Sequence, residues 1–185
     1  MHREGKLRIS PAASYVDPSL NPAIQDDELS FCFTPNPSHF KVEVFDGKTG
    51  KLKGQLSPEN LKIKYETRSN YYVYCLSFIL TPRLFLDFEA NACLVIREPK
   101  QFVDKLTIAF QGLNPGWIGA FETVKYLDPL NPPNKGIDLF SCKHFRYSYQ
   151  KEVRMIWLPP APVDTLDYQF LDLGSLEHCT ELVSI

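Results

Sequence analysis

Apolar and polar residues alternate with a period of two over several short stretches of the chain and recur at helical spacing over one longer one. The stretch from Gln150 to Trp157 alternates most clearly. Val153, Met155 and Trp157 fall on one face, and Gln150, Glu152 and Arg154 on the other. This predicts a strand over 150–157, ended by Leu158-Pro159-Pro160 because proline cannot donate to a ladder. One face reads as core. The other sets an amide, a carboxylate and a guanidinium in a row, about 7 Å apart at alternate positions.

The same reading, taken along the chain, predicts a mainly β protein with few helices. Gly5–Ser10 alternates, with Leu7 and Ile9 on one face and Arg8 on the other, and Pro11 closes it. Residues 11–28 read as a long loop, punctuated by Pro11, Pro18 and Pro22 and ending in the acidic cluster Asp26-Asp27-Glu28. Glu28–Thr34 and Phe40–Phe45 suit a hairpin across Pro35-Asn36-Pro37-Ser38. Short strands are expected near Leu52–Leu56 and Asn60–Glu66. Asn70–Phe78 is apolar on both faces, the pattern of a central strand. Thr81–Ala90 suits a short helix capped by Thr81, and Ala92–Arg97 a buried strand. Pro99–Leu113 is the clearest helix, with Phe102, Leu106, Ala109 and Leu113 at helical spacing. Trp117–Tyr126 reads as a strand and 127–137 as a loop. Phe140–Ser148 has no clear period. Leu166–Leu171 is expected as a last strand and Gly174–Val183 as a terminal turn or helix. Strands and helices do not alternate, so the fold class is α+β: a mixed, largely antiparallel sheet with two or three helices, in a single domain over 1–185.

Composition narrows the function classes. The 185 residues carry a formal net charge of −2, so no basic excess points to nucleic acid or to an anionic membrane surface. No apolar run approaches the roughly 18 residues of a membrane span, and the first residues lack the apolar core of a signal peptide. The five cysteines are odd in number, scattered, and set in part inside apolar runs such as Tyr74-Cys75-Leu76 and Ala92-Cys93-Leu94. Reduced thiols, with Cys75 and Cys93 largely buried, and a cytoplasmic setting are the expectation. No nucleotide-binding glycine motif, zinc motif or serine-hydrolase elbow occurs, and the four histidines show no ligand spacing, so no metal is expected.

What remains is an ordered set: Arg8 on the first strand, Ser77 closing Cys75-Leu76-Ser77, and Gln150-Lys151-Glu152 opening the late strand. That order resembles the arginine, serine and glutamate layout of ADP-ribosyltransferases. The serine here lacks the flanking hydroxyls usual in that superfamily, and Arg8 is chosen by position. The resemblance implies NAD as cofactor and a protein acceptor. It implies that Glu152 is the catalytic carboxylate favouring the positive charge that develops on the ribose, with Gln150 orienting the acceptor. Arg8 would meet the phosphate, Ser77 would support the pocket, and Tyr149 would stack on nicotinamide. A second resemblance is to a family of bacterial proteins without a settled activity. It rests on Gly5-Lys6-Leu7-Arg8, Asp26-Asp27-Glu28, Cys75-Leu76-Ser77 and Tyr149-Gln150-Lys151-Glu152-Val153-Arg154.

Plainer readings stand beside these. Glu152 and Arg154 suit an ion pair on an exposed sheet face. Arg8 suits a surface position, Ser77 a small hydroxyl bonded to backbone, and the acidic cluster a solvated loop. The competing function is a non-catalytic immunity, antitoxin or phage-type inhibitor protein that binds a protein partner.

Overall fold

The computed structural model describes residues 2–184 and is α+β. Thirteen strands occur among the described residues. They are β1 (Lys6–Pro11), β2 (Ser30–Phe33), β3 (Val42–Phe45), β4 (Leu52–Leu56), β5 (Ile63–Glu66), β6 (Tyr72–Ser77), β7 (Ala92–Ile96), β8 (Ile118–Thr123), β9 (Lys125–Leu127), β10 (Cys142–His144), β11 (Glu152–Leu158), β12 (Gln169–Asp172) and β13 (Thr180–Ser184). The α-helices are α1 (Pro82–Asp87) and α2 (Pro99–Leu113). No helix among the described residues is long and apolar enough to cross a membrane.

The main sheet has the order β12-β1-β6-β11-β8 and is antiparallel throughout. Helix α2 covers one face. Its buried stripe is Phe102, Leu106 and Phe110, one residue per turn, and it packs on Leu7, Ile9, Tyr72, Met155, Trp157 and Leu171 of the sheet. Phe110 stacks on Trp157 with ring centres 4.3 Å apart. Leu113, expected on that stripe and within its arc, is exposed; it is the last residue of the helix. The opposite face of the sheet is covered by the segment 12–28, which buries Ala12, Ala23 and Glu28. Tyr71, Val73 and Ile156 pack beneath it against Ala12. With both faces covered, β11 is buried on both sides, and β6 is so at Tyr72 and Val73.

Several sequence expectations meet different partners. Glu28–Thr34 does not form a hairpin with Phe40–Phe45. β2 pairs with β5, where Phe31 and Phe33 join Ile63, Tyr65 and Cys142 in a third apolar cluster. β3 pairs with β4 across the Asp46–Gly50 turn, where Asp46 accepts the Lys48 and Thr49 amides. Pro35–Ser38 turns the chain aside because Thr34 and Asn36 donate to Pro129 and Leu130 carbonyls. The stretch Trp117–Tyr126 divides at Val124, whose amide donates to the Glu152 carbonyl, and β9 pairs in parallel with β10. Gly174–Val183 ends as a strand, β13, which pairs with β7. β7 is half-buried rather than buried, since its single ladder partner is β13 and one side borders a cleft. Cys75 and Cys93 are likewise half-buried; Cys142 and Cys179 are the buried thiols and all five are free.

The late strand is shorter than its alternation predicts. It begins at Glu152, while Phe145–Gln150 forms a 3-10 turn and Lys151 takes a left-handed conformation at φ 47°. Gln150 therefore does not sit two places before Glu152 on one strand face. Its polar face is also not exposed: Glu152, Arg154 and Ile156 are as buried as Val153, Met155 and Trp157.

Candidate functional site

The polar face of β11 enters a buried network of charges. Three elements supply it. β11 gives Glu152 and Arg154, β10 gives Lys143, and the covering segment gives Asp26 and Glu28. The acidic cluster can divide its side chains because Asp27 turns outward and accepts the Leu29 and Ser30 amides at 3.0 and 3.1 Å. Asp26 and Glu28 then point in. Arg154, 0 % exposed, forks onto Glu28 at 2.8 and 2.7 Å. Its Nε donates to Glu152 at 2.5 Å, and Nη1, one of the two nitrogens on Glu28, also donates to the Phe140 carbonyl at 3.1 Å. Lys143 donates to Glu152 at 3.0 Å and to the Gln150 amide oxygen at 3.4 Å, and lies 3.9 Å from both Asp26 and Glu28. No buried side-chain nitrogen or oxygen among the described residues lacks a partner.

Burial and pairing pull these groups in opposite directions. Burial raises the Glu152 carboxyl, but Arg154 and Lys143 outweigh it and hold it below the ordinary glutamate value. For Glu28 burial wins over the same two cations, and its pKa is raised. Asp26 is raised by burial too, with Lys143 pulling the other way. Burial lowers Lys143, but Glu152 and Glu28 more than compensate and keep it charged. The network thus sets three carboxylates against two cations.

These side chains also fasten the covering segment. Gln150 Nε2 donates to the Ala23 carbonyl at 2.7 Å, the Tyr147 hydroxyl to the Gln25 carbonyl at 2.6 Å, and the Tyr71 hydroxyl to the Glu28 carbonyl at 2.9 Å.

Beside the network lies a cleft of about 570 Å³, in the size range of ligand sites. Its walls are the end of β6, α1, β7, the start of α2, and Phe121 of β8. The walls are apolar. Ser77, Gln150 and Glu152 are polar residues at its border, and Glu152 is the one charged residue among the described residues that line it. Ser77 is directly opposite Glu152 in the ladder. Its hydroxyl is committed to backbone, donating to the Gln150 carbonyl at 2.6 Å and accepting the Ile79 amide at 3.2 Å. On the rim Phe78, Ile79 and Leu80 stand exposed in succession.

Of the residues singled out in the sequence, Ser77, Gln150 and Glu152 come together here. Arg8 and Tyr149 do not. Arg8 is exposed on β1, opposite Phe170, with its guanidinium 4.7 Å above the Tyr168 ring. Tyr149 carries the Arg83 guanidinium 3.7 Å over its ring and borders a separate shallow depression with Asp87 and Glu89. Glu152 and Arg154 do form an ion pair, but a buried one. Asp26, Glu28 and Lys143 belong to the network and carry no local signal of it; an acidic run reads as solvated. Among the described residues no group of three or more His, Cys, Asp or Glu could hold a metal ion. Compared with family models, curated proteins and solved structures, the chain matches none.

Proposed function

We propose that the chain is a non-catalytic binding protein, of the immunity, antitoxin or phage-inhibitor kind and at work in the cytoplasm, that holds a protein partner in the apolar cleft. The observation that carries this is the state of Glu152. Its two oxygens are taken by Arg154 at 2.5 Å and Lys143 at 3.0 Å, so the field a catalytic carboxylate would offer to a developing cation is offset from behind. The exposed rim of Phe78, Ile79 and Leu80 continues the cleft outward, and a contiguous exposed apolar patch marks an interaction surface. The test compares partners captured from a lysate by the wild-type chain, by Phe78→Ser/Leu80→Ser, and by Arg8→Ala. A specific partner lost only with the rim variant, whose unfolding midpoint stays unchanged, supports the reading. Capture that is indifferent to the rim refutes it.

A second reading is NAD-dependent ADP-ribosyl transfer or NAD cleavage, favoured by the meeting of Ser77, Gln150 and Glu152 in one cleft. It requires NAD to raise the unfolding temperature and to be consumed. Glu152→Gln would then lower turnover about 10²–10³-fold with NAD binding intact, by analogy with other preorganised electrostatic contacts. Folded protein at high concentration that neither consumes NAD nor labels an acceptor excludes this reading.

A further inference from the structure

We infer that the partner enters the cleft as an extended segment and adds to the free edge of β7 as a further strand, its backbone paired with Ala92, Leu94 and Ile96 and its apolar side chains in the cleft. This rests on the proposal that the cleft is the working surface, and it adds the form and chemistry of the occupant.

The edge follows from the ladder. β7 has one strand partner, β13. The Arg97 amide donates to the Cys179 carbonyl at 2.8 Å, so these two residues form a hydrogen-bonded pair. In an antiparallel ladder such pairs alternate with pairs whose backbone groups point away from each other. The register carries the bonded pairs on to Val95 with Glu181 and Cys93 with Val183. Ala92, Leu94 and Ile96 therefore aim their amides and carbonyls away from β13, and among the described residues no hydrogen bond takes them up.

The cleft lies on that side. All five consecutive residues of β7 line it, and no described residue of β13 does. A strand that lined a cavity with one face would contribute alternate residues; one that lines it with its edge contributes every residue. Free edges are ordinarily blunted by a charge, a proline or a bulge, and Ala92–Ile96 has none of these.

A row of unpaired amides and carbonyls matches another backbone. An acyl chain or other small apolar molecule would fill the cleft but leave those groups unpaired in apolar surroundings, at a cost. An extended segment satisfies them and fills the walls at the same time. Leu84 and Phe85 of α1 and Phe102 and Val103 of α2 are among those walls. Glu152, the one charged residue at the border, is already held by Arg154 and Lys143. The cleft thus offers no charge to an occupant, and the side chains that enter it, at every second position of the added strand, are uncharged and apolar.

The probe is the peptide acetyl-Lys-Leu-Thr-Phe-Thr-Leu-Lys-amide. Two N-methylated forms accompany it, one methylated at the Leu and Phe nitrogens and the other at the Thr nitrogens. Alternate residues of a strand turn their amides to opposite edges, so each form is blocked on one edge only. Calorimetry on the wild-type chain is expected to show the parent peptide bound, one methylated form weakened about tenfold or more, and the other bound like the parent. Hydrogen exchange read by NMR supplies the pattern on the protein. The Cys93 and Val95 amides are expected to be protected in the free chain, and those of Leu94 and Ile96 only once the peptide is added. Octanol, which has no backbone, should leave Leu94 and Ile96 unprotected. Methylated forms that bind equally, or peptide binding without protection of Leu94 and Ile96, overturn the inference and leave the cleft reading standing. Octanol bound with the peptide silent does the same. Silence of every probe overturns both. Protection of the same amides without peptide, in step with a dimer in sedimentation, assigns the edge to a second copy of the chain and overturns the inference.

Discussion

Replacing Arg154 by methionine tests whether the buried network holds the covering segment to the sheet. Methionine keeps much of the volume and deletes the charge. The change removes two contacts to Glu28 at 2.7 and 2.8 Å, one to Glu152 at 2.5 Å and one to the Phe140 carbonyl at 3.1 Å. Breaking a buried ion pair on one side destabilises by about 3–5 kcal/mol, because the remaining charge is stranded. The stranded Glu28 can escape by taking up a proton. At pH 7 that costs about 1.36 kcal/mol per unit over roughly 2.7 units, or about 3.7 kcal/mol, which limits its share of the loss. The sign follows from linkage. A carboxyl raised in the folded state binds protons that the unfolded chain does not, so stability falls as pH rises from the ordinary glutamate range toward the raised value. The deficit of Arg154→Met should therefore be about 3–4 kcal/mol at pH 7 and shrink by about 1.4 kcal/mol per unit toward pH 5. Urea unfolding followed by fluorescence of Trp157, which shares β11 with Arg154 and is buried against Phe110 of α2, measures it. Adding Glu28→Gln should restore part of the loss, with a coupling of about 0.5–3 kcal/mol. A deficit under about 1 kcal/mol, no pH dependence, or simple additivity would refute the reasoning.

Three further outcomes are expected. Asp26→Asn removes the surplus carboxylate from beside Lys143 and should stabilise the fold at pH 7 by about 0.5–1 kcal/mol, fading toward pH 4 as the wild-type group protonates; a loss of stability in the same unfolding assay contradicts it. Gly5→Ala should destabilise by more than about 2 kcal/mol, since Gly5 has φ +65° and a Cβ there would lie 1.8 Å from the Gly174 carbonyl oxygen, whereas Gly116→Ala, at φ +84° in open space, should cost only about 1–2 kcal/mol; equal midpoint shifts would dispose of the distinction. In thiol-modification kinetics Cys32 should react first and Cys142, whose pKa burial pushes up to about 12, only on unfolding; early labelling of Cys142 would contradict its placement.

Elements defined by their own periodicity were legible in the sequence. The Phe102–Leu106 spacing marks α2, the two-sided apolar run marks β6, and Leu7 and Ile9 mark the inner face of β1. Choice of partner was not, because it depends on distant residues. Phe31 and Phe33 alternate correctly for a strand, yet nothing near them says that Tyr65 and Ile63, rather than Val42 and Val44, lie alongside. The break at Lys151 was hidden for another reason: a left-handed residue is flagged by glycine, and a lysine there gives no sign. Glu152, Gln150 and Ser77 were found by spacing and do meet. Their cationic partners were missed because Lys143 sits in an aperiodic stretch. A charge in sequence signals solvent unless its counter-charge is known, and here that comes from the far side of the fold.

The pairing of β1 with β12 bears on how the chain is made. β12 flanks β1 from Lys6 to Ile9, and Gly5 accepts the Leu173 amide, so the first of the described strands is held by one of the last of them. During vectorial synthesis β1 leaves the ribosome with that edge open, and it stays open until residues 169–172 emerge. Contacts of such separation in sequence close late and slowly. Nascent chains arrested before Gln169 should accordingly expose Leu7 and Ile9 to chaperones, and release of the full chain should bury them together with Leu171.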